Sequence, residues 1–340
     1  MDKVTIRDIA ESVGVSVSTV SRIINGKGKY SDSTRKAVLN AIHETQYTPN
    51  LVAQTLRSNQ SRLIGIMVPH MGSVHFSAIS EMLVQELIKR GYTPLVCVTL
   101  DDEAIADTYF SALSLYNAAA IVHIFREIPV PAAFSSIPTV YFGTVPDGVK
   151  GCPRVLYDIV GGARSATNEL IRSGARRIVY IQSDRMRSGH IGRYLGYQQA
   201  LWENGIHLDE GLCLTISKEQ GRTVQAVLEE LLNRGVSFDG VYANSLTSAI
   251  ETISYLKSRG LCVPEDVRVI TLDSGPLAEM YAPSISTIEG ETRMACDAVV
   301  NAVQELLETG AVRAMSTCIP TTLHLRETTG AIGKTGGNRI

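Results

Sequence analysis

Ser18, Ser21, Arg22 and Asn25 are spaced i, i+3, i+4 and i+7, so on a helix they share one face. That face carries small hydroxyls, an amide and one fork-shaped cation. Side chains of these types donate to and accept from the base edges and phosphates of a DNA major groove. Val20, Ile23 and Ile24 form the opposite, apolar stripe. The helix therefore has one face to bury and one to offer. Ordinary packing of a short surface helix gives the same division, so this spacing alone leaves both readings open.

The elements that must position this face are local. Thr5 is a natural N-cap, and Ile6, Ile9, Ala10 and Val13 then follow at i, i+3, i+4 and i+7. Gly14 suits the residue just past a helix end, where positive φ is cheap for glycine. Ser16 caps the second helix. A third helix is predicted from Ser31 to Gln46, capped by Ser31 or Asp32, with Ala37, Val38, Ala41 and Ile42 inside. Three such helices can close a small core.

Charge separates this segment from the rest. Residues 1–60 hold eight Lys/Arg against five Asp/Glu, a net of +3, within a chain of 340 residues whose net charge is −2. A basic module on an acidic body fits a DNA-binding head joined to a second function. Composition is that of a globular protein, with 44% hydrophobic and 19% charged residues, and the length suggests two or three domains. The six cysteines are scattered with no zinc-like spacing, which predicts buried free thiols and no metal site. No apolar leader and no run of 18 apolar residues is present, so a cytoplasmic chain without a membrane partner is expected.

Residues 47–61 include Pro49 and Asn50 as a helix start, then Leu51, Val52, Ala53 and Leu56. A helix of about ten residues is marginal alone, because nucleation is costly and few bonds repay it. The segment reads either as a plain linker or as one that becomes helical when a surface docks on Val52 and Leu56.

From Leu63 onward strands and helices alternate. Strands are predicted at 63–68, 94–98, 119–124, 139–142, 178–181, 241–243 and 267–272, and helices at 76–90, 102–116, 162–173, 190–204, 219–234, 245–259 and 291–309. Helices end repeatedly in glycine, at Gly91, Gly174, Gly205, Gly235, Gly260 and Gly310. Helix, glycine, strand in repetition implies parallel sheets covered on both faces, and about 260 residues of it imply two lobes. The tail after Arg326 is rich in Gly and Thr.

These residues carry a resemblance. Thr5-Ile-Arg-Asp-Ile-Ala10, Gly14-Val-Ser16, Thr19-Val-Ser-Arg22, Asn25-Gly26, Tyr47-x-Pro49-Asn50 and Ala53-x-x-Leu56 resemble the LacI family (lactose-repressor/purine-repressor type) of bacterial transcription factors. The resemblance spans roughly residues 3–326. It implies an all-α helix-turn-helix DNA-binding head plus an α/β periplasmic-binding-protein-like body with two doubly wound parallel-sheet lobes. The division it implies is a head at 1–46, a hinge helix or linker at 47–60, a first lobe from 61–158 and 290–320, a second from 161–288 and 322–328, and a loose tail at 329–340.

The resemblance also implies roles. Val17, Ser18 and Arg22 would face base edges, with Arg22 the candidate for bidentate guanine recognition, worth about 1–3 kcal/mol of discrimination. Leu56 would wedge between base steps in the minor groove. Thr5, Ser16, Ser21, Asn25, Ser31 and Asn50 would contact the DNA backbone. The implied partners are a palindromic double-stranded operator, a second copy of the chain as a homodimer, and a small-molecule effector, a sugar or sugar derivative. Effector binding between the lobes would bias the hinge between order and disorder. Shifting occupancy from 99:1 to 1:99 requires about 5.5 kcal/mol of preference. No cofactor is implied.

The effector is expected outside the carboxyl ends of the strands. Phe76 beside His75, Arg193, Asn244 and Asp273 are the candidates by position. Gly143 stands where the family often has Asp, Ser245 where Asn244 is often followed by Asp, and Ile216 at an often aromatic position. Loss of two acids argues against an ordinary neutral sugar and for a smaller, phosphorylated or acidic ligand.

Other classes fit less well. No Gly-x-Ser-x-Gly, His-Glu-x-x-His, phosphate loop or Gly-x-Gly-x-x-Gly marks an enzyme. A free sugar-binding protein would not need residues 1–60, and an architectural DNA binder would not need a cleft-forming body.

Overall fold

A computed structural model describes residues 4–24, 28, 30–45, 61–72, 74–125, 129–143, 145–146, 149, 151–184, 188–217, 220–272, 275–310 and 316–330. The chain divides into two units, Met1–Ser61 and Arg62–Ile340. Asn25, Asn50, Leu56, Asp273, the hinge segment 47–60 and residues 331–340 of the tail lie outside the described residues.

In the first unit, α1 (Ile6–Val13), α2 (Val17–Ile24) and α3 (Asp32–Glu44) form where the capping signals predicted. Gly14 takes φ 70° at the end of α1 and returns its N–H to Ala10 and Glu11 carbonyls, turning the chain into α2. The core is Ile9, Ala10, Val20, Ile23 and Val38, with Ile24, Ala41 and Ile42 half-buried around it. Ala37, expected inside, is exposed. One residue from Val38 on a helix is 100° away, and a core this small covers only one stripe of α3.

The second unit contains two six-stranded sheets. The first sheet uses β1 (Leu63–Val68), β2 (Thr93–Val98), β3 (Ala120–Ile124), β4 (Thr139–Phe142) and β5 (Arg154–Tyr157), with α4 (Val74–Lys89) and α5 (Glu103–Leu115) between the early strands. After β5 the chain enters α6 (Ile159–Arg172) and builds the second sheet. Its elements are β6 (Ile178–Ser183), α7 (Ser188–Glu203), β7 (Cys213–Ile216), α8 (Val224–Asn233), β8 (Gly240–Ala243), α9 (Leu246–Ser258), β9 (Arg268–Leu272), α10 (Pro276–Met280) and β10 (Ser286–Gly290). The chain then returns through α11 (Thr292–Thr309) to β11 (Ser316–Ile319), and crosses again to β12 (Thr321–His324).

The strand orders are β11-β5-β4-β3-β1-β2 and β12-β10-β9-β8-β6-β7. Every pairing is parallel except β10 with β12, so the second sheet carries one antiparallel edge strand that the sequence reading lacked. Buried Ile64, Ile66, Val122, Val140, Val299 and Val303 fix α4 and α11 on the first sheet. Val241, Leu228, Ile253 and Val269 hold α8 and α9 on one face of the second, and Leu170, Tyr180, Tyr197 and Tyr242 hold α6 and α7 on the other.

The short strands β5, β7, β10, β11 and β12 have no period-2 pattern long enough to stand out, and they form because a neighbouring strand supplies their bonds. The helix expected from 219 begins at Val224, because Ser217 and Arg222 pair backbone to backbone and Thr223 supplies the cap, its hydroxyl accepting from the Ala226 N–H at 3.2 Å. The six cysteines are free as expected, yet only Cys97 and Cys296 are buried, while Cys262 and Cys318 are exposed. Among the described residues no helix is long and apolar enough to cross a membrane, and no cluster of His, Cys, Asp and Glu could hold a metal.

Candidate functional site

Two sites emerge, one in each unit. In the head, each helix N-terminus is closed by a residue predicted to contact DNA backbone. The Thr5 hydroxyl accepts from the Asp8 N–H, and the Asp8 carboxylate in turn accepts from the Thr5 N–H at 2.7 Å. These bonds from Thr5 hold the Asp8 carboxyl below its ordinary range. Ser16 Oγ accepts from the Thr19 N–H at 3.2 Å, and Ser31 Oγ from the Thr34 N–H at 3.1 Å. All three caps are exposed, so their hydroxyls stand in solvent at positive helix ends, where a phosphate is favoured.

Ser18 and Arg22 are exposed, and Ser21 is half-buried. The Arg22 stem lies beside Gly28, where an added Cβ would stand 3.3 Å from Arg22 Cδ. Val17 is half-buried and packs on the head core, which leaves only part of it to offer a base.

In the second unit Asn244 follows the carboxyl end of β8, while His75 and Phe76 open α4 and Arg193 lies in α7. Arg193 projects from α7, and its Nη1 donates to the Asn244 carbonyl oxygen, just past β8, at 3.1 Å. Gly196, three residues on, places Arg193. A Cβ there would overlap the Val160 carbonyl oxygen and stand 2.8 Å from the Arg164 nitrogen, so α7 meets the α6 backbone with no room for a side chain.

Tyr180 on β6 and Tyr242 on β8 lie on the same sheet face as Asn244, by the period of two, and their rings sit 5.6 Å apart. Both are fully buried. Burial pushes the Tyr180 hydroxyl up to about 12 and raises Tyr242 too, while the nearby Arg193 guanidinium opposes both shifts. Among the described residues, Tyr180 Oη, Tyr242 Oη, Arg193 Nε and Asn244 Oδ1 are buried and have no hydrogen-bond partner. The sequence reading missed both tyrosines. The signal was present, since Tyr242 stands two residues before the candidate Asn244.

The first sheet's end is built from rings. Phe76 lies 5.0 Å from His70, 5.9 Å from His75 and 5.7 Å from Phe125, centroid to centroid. His75 also meets Phe125 at 5.6 Å and Tyr157 at 6.1 Å. Phe125, also missed, covers Gly143, where an added Cβ would overlap its ring. The space that a side chain at position 143 would take is therefore filled by a phenyl group. The lobes touch where Val74 opens α4 and Gly275 precedes α10, a Cβ on Gly275 falling 3.0 Å from Val74 Cγ1.

A small helical head followed by a two-lobed parallel-sheet body defines a ligand-binding type of DNA-binding regulator, and comparison with known proteins makes the class specific. The bacterial regulatory proteins of the lacI family match at residues 5–50, and the periplasmic binding protein-like domain at residues 167–329. The transcriptional regulator GalS of Salmonella typhimurium is 30% identical over 298 residues, 84% of each chain. The ribose operon repressor of Halalkalibacterium halodurans is 27% identical over 335 residues, covering 96% of this chain and 97% of its own. The solved complex of the transcriptional regulator CelR with cellobiose superposes with a TM-score of 0.72 at 25% identity, covering 96% of this chain and 100% of the other. The lac repressor dimer bound to operator has the same fold, with a TM-score of 0.82 at 23% identity over 96% and 99% of the two chains.

The chain belongs to the LacI family of bacterial regulatory proteins. It is a DNA-binding transcriptional regulator.

Proposed function

We propose that this regulator is a repressor of a carbohydrate uptake or catabolism operon, released or engaged by an effector bound between its two lobes. The observation that carries the reading is the pairing, in one chain, of an exposed polar α2 face with a cleft end where Arg193 and Asn244 converge. Relatives named for ribose and cellobiose support a carbohydrate class. The role is regulatory, and no catalytic step is assigned.

In this reading the head is residues 1–46 and the hinge 47–60. The first lobe is 61–158 with 290–320, the second 161–288 with 322–328. Val17, Ser18 and Arg22 read base edges, and Leu56 wedges into the minor groove. Thr5, Ser16, Ser21, Asn25, Ser31 and Asn50 hold phosphates. Phe76, His75, Arg193, Asn244 and Asp273 contact the effector, and the working form is a homodimer on a palindromic operator.

Competition binding against random duplex tests the head. Arg22→Ala should cut discrimination between operator and random duplex by about 10-fold or more, matching the 1–3 kcal/mol of a bidentate base contact. Unchanged discrimination in that variant would remove Arg22 from the readout.

A further inference from the structure

The four unpartnered polar atoms in the second lobe have a definite chemistry. Arg193 Nε, Tyr180 Oη and Tyr242 Oη supply three donors, and Asn244 Oδ1 supplies one acceptor. A buried donor or acceptor left unmet is costly, and Arg193, half-buried with its Nε enclosed, gains further from an opposite charge. Among the described residues Arg193 enters no ion pair, its bond being to the neutral Asn244 carbonyl. Water or a neutral hydroxyl would meet the hydrogen bonds and leave the charge uncompensated. A cation is excluded by Arg193 itself. An oxyanion meets both demands, accepting from three donors while an adjacent hydroxyl gives its proton to Asn244 Oδ1. The opposite lobe brings no charge at Gly143, where the Phe125 ring fills the space a side chain would take.

We propose that the effector is a hydroxylated oxyanion, a sugar bearing a carboxylate or a phosphate, and that Tyr180 and Tyr242 bind its anionic group together with Arg193. This rests on the cleft being the effector site and specifies what fills it. The two hydroxyls act as selectors of charge. They sit where β6 and β8 pair directly, so the sheet, not a loop, sets their separation.

The full-length chain is titrated calorimetrically with D-glucuronate, D-glucose 6-phosphate, inorganic phosphate, D-glucose and cellobiose, with operator binding read in parallel. D-Glucuronate or D-glucose 6-phosphate should bind at least 10-fold more tightly than D-glucose and cellobiose, and which of the two binds distinguishes carboxylate from phosphate. Tyr180→Phe and Tyr242→Phe should each weaken the acid roughly 10- to 100-fold with little change for neutral sugars, the loss expected for one hydrogen bond to a charged group. Arg193→Gln should abolish the preference. Neither Phe variant should lower the melting temperature of the ligand-free protein, because each removes a hydroxyl without a protein partner.

Tighter binding of a neutral sugar, no binding of any anion, or an unchanged acid-to-neutral ratio in the Phe variants overturns the proposal. Asp273, next in the chain after β9, is the competing counter-charge. Anion binding that emerges only in Asp273→Asn assigns it that role and also overturns the proposal. Anion binding with no effect on operator affinity leaves the site standing and overturns the regulatory reading instead.

Discussion

At the carboxyl ends of its strands the first lobe presents rings, His70, His75, Phe76, Phe125 and Tyr157, that contact one another. The second lobe presents Arg193, Asn244, Tyr180 and Tyr242, joined by one bond from Arg193 Nη1 to the Asn244 carbonyl, while Arg193 Nε, Asn244 Oδ1 and both tyrosine hydroxyls have no partner among the described residues. The strand orders correspond position by position, and each sheet ends on a strand from the last part of the chain. The hydrogen bonding of a sheet is blind to the side chains just past a strand's last residue. Two copies of one architecture can thus carry opposite chemistry at equivalent places, and specificity resides in a handful of strand-end side chains. In the first lobe the ring contacts contribute to stability themselves, at about 0.5–1.5 kcal/mol per aromatic pair beyond area burial. In the second, buried polar atoms are held at a cost that a ligand can offset.

That contrast is broken most severely by Gly143→Asp, which puts an acid into the ring wall. Gly143 has φ 86°, and the new Cβ would strike the Phe125 ring. Strain and ring displacement together should cost about 2–4 kcal/mol in chemical denaturation. The acid-to-neutral binding ratio should fall with it. A variant that keeps its stability would show that the ring is not packed as described.

Gly196→Ala attacks the other wall through its support. Alanine gains up to about 1 kcal/mol of helix propensity, but the Cβ meets a backbone oxygen that has no rotamer to yield. Overpacking of this kind typically costs about 1–3 kcal/mol, so a net loss of about 1–2 kcal/mol is expected, with a weaker effector response as Arg193 moves away from Asn244. Wild-type stability and response together would remove α6 as the support of Arg193.

The smallest effect at neutral pH is the most specific to the second lobe. The hydroxyls of Tyr180 and Tyr242 titrate above the ordinary tyrosine value near 10. Between pH 10 and about 12 the unfolded chain loses these protons while the folded lobe keeps them. Stability is therefore intact below pH 10 and falls as pH rises above it. Melting followed by tyrosine absorbance should show this loss delayed to higher pH in Tyr242→Phe. Identical pH curves for the two proteins would remove Tyr242 from the cause.

The head was legible because its structure is written in neighbours. Thr5, Ser16 and Ser31 cap helices within three residues of themselves, Gly14 turns the chain where it stands, and the apolar stripes repeat with the helical period. Only the width of the stripe on α3 was misjudged, because how far a core reaches around a helix depends on what packs there. In the body, the long strands β1, β3 and β4 and their helices were visible by apolar runs and glycine ends, while β5, β7, β10, β11 and β12 were not. Their partners come from distant sequence: β11 pairs with β5, and β12 with β10. For the proposed cleft, Phe76, His75, Arg193 and Asn244 were chosen by position, while Phe125 and Tyr180 look locally like core aromatics and Tyr242 is marked only by its spacing from Asn244.

By itself, then, the order of amino acids determined the three capped helices, the charged division between head and body, the alternation of strand and helix, and the family. Those features depend on contacts within a turn or two, which sequence spacing states directly. Tertiary structure alone decided that Phe125 fills the side-chain space at Gly143, that Gly196 seats α7 against α6, and that two buried tyrosines from separate strands come together near Arg193. Such arrangements bring together residues far apart in the chain, and only the closing of the sheet sets the distance between them.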